Sequence, residues 1–202
     1  MRTALILALG LILPLAAQEK PAKADEKKAP SMADMMAKPG PEMARMKAMV
    51  GTWHVEETIE ASPMGPAGKG QGTGRVTLGP GGLSMMIDYR SVAGHMKGFQ
   101  GLGVLAWDEA SKSYKQAWVD NMMPMMLVGT GHWEGEKFIM ESEGTMMGKP
   151  FKGRDEFTGF SKDGFTLTSF MSMDGSPMAK VMTLVHRHAK AAKADVKKDG
   201  KM

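Results

Sequence analysis

The sequence predicts an all-β protein: an antiparallel up-and-down barrel of about ten strands, closed at one end by a short N-terminal helix. Three observations carry this. From Gly51 to His188, short segments rich in β-branched and aromatic residues recur between turn signals at about 8–12-residue spacing. No long amphipathic helix interrupts them, which argues against an alternating β-α-β architecture. The connections are too short for anything but antiparallel neighbours, and about ten such strands best remove their unpaired edges by closing on themselves.

Taken in order, residues 1–17 read as a secretory signal. Arg2 supplies the basic start, Ala4–Leu13 the apolar stretch, and Ala16-Ala17 a small-residue cleavage point. The apolar run is too short to span a bilayer. The protein is therefore expected to be exported, periplasmic or secreted, with no transmembrane segment once the signal is removed. The chain has 202 residues and no cysteine, so disulfides and a lipidated cysteine are excluded. Residues 18–40 are Lys-, Ala-, Glu- and Pro-rich and read as a disordered linker. Within them, Ser31-x-x-Asp34 has the spacing of a capping box for one helical turn.

The domain is expected over residues 41–188. Pro41 suits a first helical position, Met43, Met46 and Met49 recur every third residue along one face, and Gly51 can end the helix. That stripe reads as a lid packed on a core. Strands are expected near 51–61, 70–79, 82–92, 95–107, 113–121, 126–134, 136–145, 150–160, 164–173 and 178–188. In the first, Trp53, Val55 and Ile59 alternate with His54, Glu56, Thr58 and Glu60, the period of a half-buried strand. Gly79–Gly82, Asp108–Ser113 and Ser161–Gly164 carry turn chemistry. Residues 189–202, rich in Lys and Ala, read as a disordered, solvated tail.

The net charge of +4 belongs to the ends, because residues 50–188 hold thirteen Lys/Arg against fifteen Asp/Glu. A slightly acidic folded part argues against nucleic acid as a partner. Methionine is the unusual feature, with 23 in the chain. In an up-and-down barrel, successive hairpin tips alternate between the two ends. The tips near 62–69, 93–95, 122–125, 146–149 and 174–177 carry or adjoin Met64, His95, Met96, Met122, Met123, Met125, Met146, Met147, Met173 and Met178. The alternate tips carry no methionine. Methionine is thereby sorted to one end, a soft, adaptable rim around a barrel mouth, where ligands are commonly held.

Several motifs together resemble the bacterial family known as domain of unknown function 1579. They are Gly51-Thr52-Trp53, Trp107-Asp108-x-Ala110-Ser111-Lys112-x-Tyr114, Trp118-Val119-Asp120-x-Met122 and Gly131-x-Trp133-Glu134-Gly135. The resemblance covers most of residues 45–188 and implies a calycin-like barrel, with no reaction and no catalytic residue to carry over. Asp120, within one of these motifs and near the mouth, is the acid singled out for ligand contact. Gly51-x-Trp53 also resembles the first-strand signature of lipocalins. That resemblance implies a basic residue of the last strand covering Trp53 at the closed end, the place of Arg187.

The remaining chemistry is sparse. His186 and His188 share a strand face and could reach one metal ion, an alternative in which Arg187 points outward. The methionine rim with His95, including Met-x-x-Met at Met122/Met125 and Met123/Met126, suits Cu(I). A haem in the barrel, held by one of the five histidines, is a further reading that no motif selects. No other cofactor is expected. There is no G-x-S-x-G, P-loop or H-E-x-x-H, and Glu141/Glu143 read as a solvated face. The leading expectation is a binding module for a small hydrophobic or amphiphilic ligand, the alternatives being a soft-metal binder of the cell envelope and an enzyme of unrecognised chemistry.

Overall fold

The computed structural model describes residues 30–62 and 65–189. Among these described residues, those up to Met36 and those from Ala37 fall into separate compact units. In the first, α1 (Met32–Met35) carries the expected capping box, with the Ser31 side chain accepting from the Asp34 backbone and Asp34 reaching back to the Ser31 backbone. Residues 1–17, most of 18–40 and nearly all of 189–202 lie outside the described residues, so the readings of signal, linker and tail concern sequence only.

The second unit opens with α2 (Pro41–Arg45), which continues as a 3-10 turn over Met46–Met49. Ten strands follow: β1 (Gly51–Ile59), β2 (Gly68–Leu78), β3 (Ser84–Gly94), β4 (Gln100–Asp108), β5 (Ser113–Asp120), β6 (Leu127–Glu134), β7 (Lys137–Met146), β8 (Lys149–Thr158), β9 (Gly164–Met173) and β10 (Ala179–His188). Each pairs antiparallel with its sequence neighbour, and β1 pairs with β10 to close the barrel. Strand β4 begins later than the expected 95–107. Gly94 and Gly98 take φ values of 83° and 95°, so residues 95–98 form the turn and carry His95 and Met96 on it.

Alternation sets the inside of the barrel. On β1, Trp53, Val55 and Glu57 are buried between exposed Thr52, His54 and Glu56. Large inward side chains gain room from inward glycines on neighbouring strands. A Cβ added at Gly101 or Gly103 would fall 2.1 or 2.9 Å from the Trp118 ring, so β4 leaves a trough in which that indole lies.

The methionine helix closes the end opposite the methionine-bearing tips. Met43, Met46 and Met49 are buried against the barrel core. The Tyr114 hydroxyl donates to the Glu42 carbonyl at 2.9 Å, and the Trp53 indole N–H donates to the Met49 carbonyl at 2.9 Å. The Arg45 guanidinium lies 3.8 Å over the Trp133 ring and donates to the Gly135 carbonyl of the β6–β7 turn. A cation and three sulfur side chains thus plug the floor.

Arg187 does not cover Trp53. Trp53 pairs directly with His188 in the β1–β10 ladder, and directly opposed residues share a face, so His186 and His188 point inward and Arg187 outward. Arg187 instead meets Glu56 on the outer surface at 3.2 Å. His188 takes the place expected of the arginine, edge-on to Trp53 with ring centroids 5.3 Å apart.

Candidate functional site

The barrel is hollow. An inner chamber of about 210 Å³ lies towards the plugged end, where Met49, Phe165 and His186 line it. An outer chamber of about 280 Å³ lies under the methionine-bearing tips. The two share Met96, Phe99, Leu127, Asp155, Ser169 and Met182 as walls, so they form one passage with a waist.

The rim residues divide. His95, Met96, Asp120, Met122, Met123 and Met146 all line the outer chamber. Met125, Met147, Met173 and Met178 line neither chamber. Met147 is 87 % exposed in a tight turn with φ of 53°, and Met178 lies in a depression on the outer wall beside Glu141 and Arg154. Met125 turns its methyl towards Gly144. Met64 lies outside the described residues. Position on a hairpin tip therefore determines the end of the barrel at which a residue lies, whereas side-chain direction depends on the turn each tip adopts.

Asp120 shapes the rim. Its carboxylate accepts from the Trp118 indole at 3.0 Å and from the backbone N–H groups of Met122 and Met123 at 2.8 and 3.0 Å. It thereby holds the loop that carries those two methionines over the outer chamber, the Asx-type turn that Asp favours.

Several polar groups occupy the interior. Asp155 faces both chambers. Burial raises its pKa, opposed by a hydrogen bond with Ser169. Glu57, 2 % exposed, accepts from the Tyr89 hydroxyl at 2.5 Å and the Ser91 hydroxyl at 3.0 Å. Burial, reinforced by this carboxylate, holds the Tyr89 phenol well above its usual range. Tyr89→Phe removes one of the two donors to a buried carboxylate and is expected to cost about 2 kcal/mol. Urea unfolding of the variant measures it, and an unchanged midpoint would show the pair to be dispensable.

His186 stacks nearly flat on Phe165, with ring centroids 4.2 Å apart and planes 12° apart. Burial pushes its imidazole down to about 4, against a smaller opposing effect of the Leu184 carbonyl. Its Nδ1 is buried without a hydrogen-bond partner. Among the described residues, no group of three or more His, Asp or Glu side chains is placed to hold a metal ion, so His186 and His188 share a face without a third such ligand. Glu141 and Glu143 are exposed on the outer wall, Glu141 paired with Arg154 at 3.1 Å.

Glu57, Asp155 and Ser169 were legible in strand parity. Glu57 is in phase with Trp53 and Val55, and Asp155 is in phase with Phe151 and Phe157. Residue type alone argues against an interior place for two acids and a serine, and Asp155 also sits within the charged run Lys152–Glu156.

A family model described as protein of unknown function (DUF1579) matches residues 38–188. The chain belongs to this family. Two solved structures align with the chain at low identity, and the first of them shares its fold. Rv2717c from M. tuberculosis aligns with a TM-score of 0.51 at 14% identity, covering 74% of this chain and 98% of that one. The S-type phycobiliprotein lyase CPES from Guillardia theta aligns with a TM-score of 0.48 at 10% identity, covering 73% and 90%. No curated protein shows significant similarity to the sequence.

Proposed function

We propose that this member of the family is an exported binding protein that holds a small hydrophobic or amphiphilic molecule in its barrel, entering at the methionine-rich mouth. The hollow passage carries the reading: side chains of this barrel do not fill it, and its walls are chiefly aromatic and aliphatic with a few polar groups. Met96, Met122, Met123 and Met146 at the outer chamber give the entrance adaptable walls suited to an apolar surface. Export rests on the character of residues 1–17. Native mass spectrometry of the protein purified from the envelope or medium of its own cells tests both. The expected mass begins after Ala17 and carries a non-covalent adduct that organic extraction removes. Leu167→Trp, which fills the inner chamber, should lower occupancy about tenfold or more with the barrel intact. Full occupancy in that variant would place the ligand elsewhere, and an uncleaved cytoplasmic protein would remove export.

One observation favours a second reading. His95, Met96, Met122, Met123 and Met146 converge on one chamber, a donor set with the softness that Cu(I) prefers. Competition with a Cu(I) chelator decides it. Changing Met122, Met123 and Met146 to Leu should weaken binding about a hundredfold if they are ligands, and equal affinity would eliminate them.

A further inference from the structure

We propose that the interior selects ligands whose leading, buried end donates a hydrogen bond and carries no negative charge. The proposal rests on the ligand-binding reading above and specifies the class of molecule. Along the passage Asp155 and His186 offer acceptors, beside hydroxyl and amide groups of Tyr89, Gln116 and Ser169 that donate as well as accept. Among the described residues, no Lys or Arg lines either chamber. Asp155 faces both chambers, so whatever moves from the mouth to the floor passes its carboxyl group. At the floor, His186 is 8 % exposed and its Nδ1 has no hydrogen-bond partner. A neutral imidazole has one accepting ring nitrogen, and burial keeps this ring neutral at physiological pH.

The β-ladder sets how far apart these acceptors stand along the strand direction. Asp155 pairs with Ser169 and Ser169 with Met182, so the three stand at one level, and His186 lies four residues further along β10. Four residues of strand span about 13 Å. An elongated ligand meets Asp155 at the waist and His186 at the floor, with Phe157, Leu167 and Leu184 lining the inner chamber around its apolar body.

An anionic head fares badly on this route. It gives up its hydration and, along either chamber, finds no ammonium or guanidinium to neutralise it. The Glu57 carboxylate adds a second interior acid, already engaged by Tyr89 and Ser91. A hydroxyl or amine N–H instead reaches acceptor capacity that the protein leaves unused at His186 and only partly uses at Asp155.

A series of matched twelve-carbon probes tests this on the mature protein at neutral pH, each kept below its micelle concentration and followed by tryptophan fluorescence, with Trp118 in the inner wall. Dodecanol and dodecylamine are expected to bind about tenfold or more tightly than dodecanoate, with dodecyl methyl ether, neutral but without a donor, in between. His186→Phe, which keeps an aromatic ring on Phe165, should bring dodecanol down to the ether. Asp155→Asn should narrow the gap between amine and carboxylate. Dodecanoate binding as tightly as dodecanol overturns the proposal while leaving a ligand-binding barrel in place. Failure of all four probes to bind overturns both.

Discussion

Trp53→Ala should destabilise the barrel by about 4 kcal/mol, the upper range for a buried aromatic reduced to alanine. Trp53 is 2 % exposed and joins three parts of the structure. Its indole N–H holds the Met49 carbonyl of the plug, its ring meets Phe165 edge-on at 5.2 Å, and its other side meets His188. Removal opens a cavity at the floor and leaves the Met49 carbonyl without its donor. Van der Waals contact, aromatic geometry and one buried hydrogen bond are lost together. For a domain of this size the change corresponds to a fall of roughly 10 °C or more in the melting temperature. Trp53→Phe should recover part of this, because it restores ring contacts and not the hydrogen bond. A melting temperature within about 2 °C of the original for Trp53→Ala would mean that the plug does not depend on this residue.

Acidification provides the second large effect. The His186 imidazole titrates at about 4 in the folded protein against 6.5 for the ordinary side chain. Between those values the unfolded chain takes up a proton that the folded chain refuses. The stability associated with neutral His186 is therefore complete above about pH 6.5, declines as pH falls, and is lost once pH passes below about 4. The difference amounts to about 3 kcal/mol. Asp155 acts in the opposite sense. Burial raises its pKa, so folding is relieved as pH falls through the folded value. A comparison isolates the histidine: between pH 7 and pH 4, the unchanged protein should lose about 3 kcal/mol more than His186→Phe in urea unfolding. Parallel pH profiles for the two would show that His186 is not held neutral by the fold.

Strand parity explains both why much of this site was legible and why part of it was missed. The alternation of Trp53, Val55 and Ile59 placed β1 correctly, and the same alternation places Glu57 inside. An acid in the interior is unexpected only when residue type is weighed above position. Asp155 is the stronger case, because Lys152, Arg154 and Glu156 around it make the segment look solvated although it lies in phase with Phe151 and Phe157. The order of Arg187 and its flanking histidines went the other way. Analogy put the arginine over Trp53, and the β1–β10 register, which brings Trp53 opposite His188, puts the histidines there.

Local chemistry in the sequence determined the ten strands, their antiparallel succession, the α2 plug and the end at which methionine collects, because turn residues and a period of two are properties of neighbouring residues. Only the tertiary structure decided that the closed barrel leaves a passage, that Asp155 and His186 line it, and that Met147 and Met178 turn away from it. Those outcomes depend on how strands distant in the chain register and on how inward side chains share a common volume. Packing of that kind is set by all ten strands at once and is written in no single segment.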